Sequence, residues 1–237
     1  MATFVLVHGA WHGGWCWHKI VARLEARGHK VVAPDMPGHG IDKTPIEQVT
    51  LDSIAQKIAG VVKVQAEPVV LVGHSYGGSI ITHTAELCAS KVRKLVYVTA
   101  FLPPDGQTTL GISADDPQSM IAAGIQFAPD GQTAGFDPAM IRDAFYADCS
   151  DDDIALARLC LVPEGLAGFA APVHTTAQNW GGIPRVYIEC VKDRAIGIDR
   201  QRAMVKALGC ATVLSLDTDH SPFFSTPDAL TDMLAAL

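Results

Sequence analysis

The residues with the clearest chemical potential are Gly-His-Ser-Tyr-Gly at positions 73–77. An apolar run at residues 69–72 precedes them, and a helical pattern begins at Gly78. A sharp turn between a strand and a helix exposes a serine hydroxyl at the edge of a sheet, and glycines allow the two elements to approach closely. We therefore predict that Ser75 is a nucleophile.

A serine hydroxyl needs a general base near neutral pH, and two other predicted strands supply the partners. Residues 186–191 form one predicted strand, followed by Asp193, and residues 213–216 form another, followed by His220. Groups beyond the carboxyl ends of parallel strands share one crevice. We predict that His220 takes the serine proton and that Asp193 fixes its tautomer and stabilises the imidazolium.

Three other carboxylates compete with Asp193 for the role of the acid. Asp217 and Asp219 are so near His220 in sequence that neither reaches the correct side of the ring comfortably. Asp35 follows the predicted strand at residues 29–33 and is better placed to shape the next loop. These considerations favour Asp193.

Hydrolysis through a tetrahedral intermediate also needs two N–H donors for the oxyanion. Residues 3–7 form a predicted strand that leads directly into the glycine-containing loop at residues 8–14. We predict that the amides of Ala10, in this loop, and of Tyr76, directly after the nucleophile, are those donors.

The histidines of the amino-terminal region offer a metal site as the alternative. His8, His12 and His18 are separated by glycines that disrupt a helical spacing, and no cysteine or acidic residue lies between them. We therefore expect no metal.

Four segments together resemble the α/β-hydrolase family, and within it the branch that holds plant methyl esterases, hydroxynitrile lyases and related bacterial carboxylesterases. The resemblance implies a fold with a parallel sheet flanked by helices, serine esterase activity without a cofactor, and a small-molecule ester substrate. It is also compatible with a homodimer. The segments are residues 8–17 (HGAWHGGWCW), 28–35 (GHKVVAPD), 73–78 (GHSYGG) and 219–222 (DHSP).

Two positions separate esterases from lyases within that branch. The hydroxynitrile lyases that the chain resembles have a threonine directly after the first-strand histidine and a lysine directly after the triad histidine. Gly9 and Ser221 occupy these positions here. The difference favours ester hydrolysis.

The composition limits the classes of partner. With 237 residues and 49% hydrophobic content, the chain can bury one substantial core, and its net charge of −7 argues against a nucleic-acid partner. No apolar run approaches the ~20 residues that cross a membrane. The first predicted strand begins at Thr3, and the six cysteines form no C-x-x-C pair. We therefore expect that the chain has no signal peptide, that its thiols are free and that it is located in the cytoplasm.

The order of predicted elements divides the chain into a core and an insertion. Alternating strands and helices predict a six-stranded, mostly parallel sheet formed by residues 1–102 and 183–237. Residues 103–182 break the alternation, and we predict that they form a helical cap above Ser75. More apolar residues lie there than a solvated loop needs, and some of them are expected to line a pocket: Met120, Ile121, Phe127, Phe136, Phe145, Leu159, Leu161 and Phe169.

Taken together, these observations predict a serine carboxylesterase for small to medium hydrophobic esters. Gly9, Trp11, Trp180 and Ser221 are further candidates for the substrate pocket, although both tryptophans could equally serve packing. The alternatives left open are cyanohydrin cleavage, lactone or amide hydrolysis by the same triad, and a non-catalytic ligand receptor.

Overall fold

A computed structural model describes all 237 residues and contains a six-stranded parallel sheet with strand order β2-β1-β3-β4-β8-β9. The predicted α/β-hydrolase fold with six strands and flanking helices is confirmed. All pairings in this sheet are parallel. Its strands are β1 (Thr3–Val7), β2 (Lys30–Val32), β3 (Val69–Ser75), β4 (Val92–Ala100), β8 (Arg185–Cys190) and β9 (Thr212–Leu216).

The hydrophobic pattern of the sheet explains its place in the core. Strand β3 lies between β1 and β4 and is buried up to its last residue, Ser75. Central parallel strands are covered on both faces, so they are continuously apolar rather than alternating. Ser75 therefore lies at the end of one of the most enclosed strands.

Helices that connect or follow these strands pack beside the sheet. Helix α2 packs against α3, and α1 packs against α11. Thr50 caps α2 through a reciprocal capping box with Ser53. The bounds are α1 (His18–Ala26), α2 (Leu51–Lys63), α3 (Gly77–Cys88), α9 (Ile198–Leu208), α10 (Pro222–Ser225) and α11 (Pro227–Ala235).

Short elements make up the chain between β4 and β8. The helices are α4 (Thr109–Ser113), α5 (Ile121–Gly124), α6 (Ile141–Phe145), α7 (Asp151–Cys160) and α8 (Leu166–Ala170). A separate antiparallel sheet contains β5 (Ile125–Phe127), β6 (Thr133–Phe136) and β7 (Glu164–Gly165) in that order.

This small sheet accompanies the helices of the insertion and was not predicted from the sequence. Its strands have two to four residues each, too few to show a strand periodicity in the sequence. The turn between β5 and β6 contains Gly131 in the left-handed region, with φ 68°. The boundary between core and cap at residues 103–182 stays a prediction.

No helix is both long enough and apolar enough to cross a membrane. All six cysteines are free; Cys160 and Cys210 are half-buried and the other four are buried.

Candidate active site

Ser75 lies on a tight turn between β3 and α3. Its φ of 54° is in the left-handed region, which non-glycine residues adopt only at a cost of order 1–3 kcal/mol. Gly77 allows this turn to lie close to β1, because a Cβ at that position would lie 2.7 Å from the carbonyl oxygen of His8. The local sequence therefore places the Ser75 hydroxyl at the carboxyl edge of the sheet.

Asp193 and His220 follow β8 and β9 at the same edge and form a buried pair. The Nδ1 atom of His220 lies 2.7 Å from Oδ2 of Asp193, and both side chains are almost fully buried. A carboxylate only accepts hydrogen bonds, so Nδ1 carries the proton and donates it. Nε2 of His220 then has a free lone pair that can accept a proton.

Three further donors hold the Asp193 carboxylate in place. Its Oδ1 accepts from the amides of Ala195 (2.6 Å) and Ile196 (2.9 Å), and its Oδ2 accepts from the hydroxyl of Thr99. Thr99 is skipped in the pairing of β3 with β4, where the register shifts, and its φ is 38°. No motif identifies Thr99 in the sequence, although its place as a polar residue near the end of a buried strand is a signal.

The competing carboxylates are engaged elsewhere. Asp219 accepts from the amides of Asp148 and Ser221, and burial raises its pKa. Asp35 accepts from the amides of Gly14 and Ile41.

His74 connects the nucleophile turn to His220. Its Nε2 lies 2.7 Å from the carbonyl oxygen of His220, and the centroids of the two rings are 4.6 Å apart. No hydrogen bond joins the Ser75 hydroxyl to the His220 ring in this structure. Hydrogen bonds of this kind often tighten only when substrate binds.

The amides predicted to bind an oxyanion have no acceptor within the protein. Neither Ala10 nor Tyr76 uses its backbone N–H in a hydrogen bond, and both residues are buried at the cavity. Buried amides of this kind are normally paired, so this pair is a candidate site for a negatively charged oxygen.

A cavity of about 220 Å³ opens beside Ser75, and 14 of its 17 lining residues are hydrophobic. The polar members of the wall are Ser75, Ser113 and Glu164. Of the eight apolar residues predicted from the insertion, Ile121, Phe127, Phe145 and Phe169 line it. Phe136 and Leu161 line a neighbouring cavity, whereas Leu159 is 85% exposed.

The four additional pocket candidates lie in different surroundings. Trp11 lines the cavity, but Trp180 does not, and the expectation for it is corrected. The indole of Trp180 donates to the hydroxyl of Tyr97 (3.0 Å) and stacks on Arg185, so packing accounts for its position. Gly9 and Ser221 do not line the cavity either. Gly9 lies behind Ser75, where a Cβ would be 2.8 Å from that of Ser75, and Ser221 is fully buried.

The amino-terminal histidines form hydrogen bonds within the protein. His8 contacts the carbonyl of Gly9 (2.8 Å) and accepts from the amide of Met36 (3.0 Å). His12 contacts the carbonyl of Ala10 (2.7 Å) and the hydroxyl of Tyr146 (2.6 Å). Burial lowers the pKa of His12 to about 4 and that of His8 well below its ordinary value, so both rings are neutral.

Glu164 is a buried polar residue that the sequence analysis missed. It lies in β7, lines the cavity and contacts His39, whose Nε2 is 2.9 Å from Oε2 of the carboxylate. The segment around it carries no motif, so no sequence signal pointed to it.

The fold and the geometry of this edge define an α/β hydrolase. Residues 4–233 match the model of the α/β hydrolase family, and the chain belongs to that family. The resemblance predicted from the sequence motifs is therefore confirmed.

Individual relatives are plant methylesterases. Methylesterase 9 of Arabidopsis thaliana is 32% identical over 248 residues, which cover 99% of this chain and 97% of the relative. Putative methylesterase 15 of the same plant, a chloroplastic protein, is 31% identical over 99% of this chain. The chain spans little more than half, 56%, of that relative's length.

Solved structures agree with the family assignment. A pyrethroid hydrolase from Sphingobium faniae JZ-2 superimposes with a TM-score of 0.89 at 27% identity, over 99% of this chain and 96% of the other. A methylesterase from Arabidopsis superimposes with a TM-score of 0.85 at 28% identity, over 100% and 98% of the two chains.

Proposed function

We propose that this protein is a serine carboxylesterase that uses Ser75, His220 and Asp193 as its catalytic triad. The observation that carries the proposal is the buried 2.7 Å contact between His220 and Asp193 at the sheet edge where Ser75 ends β3. The relatives named as methylesterases and as a pyrethroid hydrolase support the same class of reaction.

In the proposed mechanism, the oxygen of Ser75 attacks the ester carbonyl carbon while Nε2 of His220 takes its proton. The carbonyl oxygen becomes an oxyanion that the amides of Ala10 and Tyr76 stabilise. His220 then protonates the departing alkoxide. The alcohol leaves, and the acyl group stays bonded to Ser75. Water attacks this acyl-enzyme with His220 as the base, and the acid departs as the proton returns to Ser75.

Asp193 performs two tasks in this mechanism. Its carboxylate keeps the proton of His220 on Nδ1, so that Nε2 faces the reacting atoms. Its negative charge also stabilises the imidazolium that forms when Ser75 loses its proton. Thr99, Ala195 and Ile196 orient the carboxylate for both tasks.

The cavity favours uncharged, hydrophobic esters of small to medium size. Its wall is mostly apolar and contains no lysine, arginine or histidine side chain that could pair with an anionic substrate. We propose that residues 103–182 act as the cap that supplies much of this wall. Trp11 completes it on the side of the amino-terminal loop.

The neighbours of the triad favour hydrolysis over cyanohydrin cleavage. A side chain at position 9 would press against Ser75, and position 221 holds a buried serine instead of a lysine. We expect ester cleavage without cyanide release from a cyanohydrin.

We propose a cytoplasmic location for the protein. Six free cysteines are consistent with the reducing cytoplasm. The resemblance to the methyl esterase branch is compatible with a homodimer, and light scattering on the purified protein would determine the oligomeric state.

The test combines activity with covalent labelling. Wild-type protein should hydrolyse an uncharged aryl or methyl ester and react with a fluorophosphonate at Ser75. Ser75→Ala should lose the label and reduce turnover by roughly 10⁵-fold or more. Normal turnover by this variant would disprove the triad. A wild-type protein that is neither labelled nor active would instead favour the ligand receptor.

A further inference from the structure

A carboxylate in the cavity wall has no part in the mechanism above and is nevertheless fully bonded. Oε2 of Glu164 accepts from the amide of Trp11 (3.0 Å) and contacts Nε2 of His39 (2.9 Å). Oε1 accepts from the amide of Gly165 (3.2 Å). Glu164 is only 1% exposed, so these contacts replace water entirely.

The hydrogen bonds of His39 favour its protonated form. Its Nδ1 lies 2.9 Å from the carbonyl oxygen of Pro37, which can only accept. Because its Nε2 also faces an acceptor, both ring nitrogens carry a proton. Burial alone would lower the pKa of His39, but the Glu164 carboxylate and the Pro37 carbonyl raise it above its ordinary value. Glu164 and His39 therefore form a buried ion pair.

Glu164 holds a strained part of the loop that contains Ala10. Trp11 has φ 63°, in the left-handed region that a tryptophan rarely adopts. Two atoms of the peptide between Ala10 and Trp11 are fixed: the carbonyl by Nδ1 of His12 (2.7 Å) and the N–H by Glu164.

The same loop has further contacts with the chain between β4 and β8. The carbonyl of Trp11 accepts from the amide of Val162 (3.0 Å), and its indole donates to the carbonyl of Ala134 (2.8 Å). The conformation of the loop thus depends on residues far away in sequence, of which Glu164 is the charged one.

We propose that Glu164, paired with His39, is a positioning residue that holds the Ala10–Trp11 peptide so that the Ala10 amide faces the oxyanion. The inference rests on the proposed esterase function of this site. It explains why an apolar cavity contains a carboxylate, and it links substrate-wall residues to the step at which negative charge develops.

Glutamine is the informative replacement because it keeps the size of the side chain. The carboxylate faces three donors with two acceptor-only oxygens, whereas a glutamine amide must turn its NH₂ towards at least one donor. Even when the NH₂ turns towards Gly165 and the oxygen stays at the Oε2 position, a neutral oxygen accepts from Trp11 and His39 less strongly than a carboxylate does. Glu164→Gln therefore weakens the hold on Trp11 without creating a cavity.

The experiment measures steady-state kinetics together with amide hydrogen exchange. We expect Glu164→Gln to lower kcat by about tenfold or more, with KM within about twofold, because an oxyanion donor acts mainly in the transition state. Exchange of the Trp11 amide should become faster. Unchanged kcat or unchanged exchange would overturn the proposal.

Asp153→Asn is the matched control. Asp153 pairs with Lys19 at 2.6 Å and also joins the chain between β4 and β8 to the amino-terminal region, but it does not contact the loop of Ala10. We expect a lower melting temperature, with kcat and Trp11 exchange as in wild type. If Asp153→Asn lost as much kcat as Glu164→Gln, a general destabilisation of the fold would explain both losses, and the proposal would be overturned.

A second variant and a readout independent of activity keep the test decisive. If Glu164→Gln does not fold, His39→Gln, which removes the positive charge, should show the same changes to a smaller extent. If wild-type protein hydrolyses no ester, the proposed function fails, while the exchange of Trp11 still tests whether Glu164 holds the loop. If the Trp11 amide exchanges as slowly in both variants as in wild type, Glu164 does not hold the loop.

Discussion

The two sides of the cavity are built in different ways. The sheet side places Ser75 at the end of a seven-residue central strand and fixes Asp193 with four hydrogen-bond donors. The opposite wall contains helices of four or five residues and strands of two to four. Its surface includes the largely exposed Phe127 and Leu110.

This difference separates the chemistry of the protein from its substrate preference. Atoms on the sheet side are held by buried polar contacts, so changes there should reduce kcat. Side chains of the opposite wall supply apolar area, so changes there should alter KM and the choice of ester. Glu164 belongs to the second region but acts on the first, because it bonds to the loop of Ala10.

Apart from loss of the nucleophile itself, the largest effect should come from Asp193→Asn on the sheet side. The asparagine oxygen can still accept from Ala195 and Ile196, which turns its NH₂ towards Nδ1 of His220. His220 must then carry its proton on Nε2 and cannot accept one from Ser75. We expect kcat to fall by about 10⁴-fold in steady-state assays.

Thermal unfolding provides the control for this variant. Because the two backbone contacts are kept, the melting temperature should change little. A fall in kcat of less than tenfold would contradict the assignment of Asp193 as the acid.

The buried histidines of the sheet side should make the protein acid-sensitive. Burial lowers the pKa of His12 to about 4 and that of His8 and His74 well below the ordinary value of 6.5. Below pH 6.5 these histidines are therefore protonated in the unfolded chain but not in the folded chain. The free energy of unfolding consequently falls as the pH drops. His12 alone should lower the free energy of unfolding by about 3 kcal/mol as the pH falls from 6.5 to 4.

Urea unfolding between pH 6 and pH 5 would measure this effect. His12→Gln should reduce the dependence of the unfolding free energy on pH by about 1.4 kcal/mol per pH unit. Equal dependence in wild type and His12→Gln would contradict a neutral buried His12.

The same contrast explains what the sequence could and could not predict. Strand ends such as Asp193 follow long apolar runs, so topology alone brings them to one edge, and the structure places Asp193 in contact with His220. Thr99 was missed because its orientation depends on a register shift between β3 and β4. Glu164 was not predicted, and Trp180 was left undecided between the pocket and packing, because only tertiary contacts decide where their side chains lie.

An intermediate effect on kcat is expected when the sheet side loses one hydrogen bond. Thr99→Val keeps the shape of the side chain but removes the hydroxyl that donates to Asp193. A hydrogen bond to a charged group contributes about 1.5–3 kcal/mol, so kcat should fall by roughly tenfold or more. Steady-state kinetics at a fixed pH would measure this fall.

Thr82→Val is the matched control for Thr99→Val. It removes a buried hydroxyl that donates to the carbonyl of Gly78 (2.8 Å) and contacts Tyr97, away from Asp193. Stability should fall in this variant while kcat stays as in wild type. Equal kcat in Thr99→Val and wild type would show that Asp193 needs no support from β4.

The smallest effect should come from the opposite wall, at the rim of the cavity. Phe127 lines the cavity but is 64% exposed, so a bound ester covers only part of its ring. Phe127→Ala should raise KM for a hydrophobic ester by about fivefold, which corresponds to roughly 1 kcal/mol of lost apolar contact, and leave kcat unchanged. Leu159→Ala, 85% exposed and away from the cavity, should change neither constant. If Phe127→Ala instead lowered kcat, the wall would take part in positioning the reacting atoms, and the separation between the two sides would not hold.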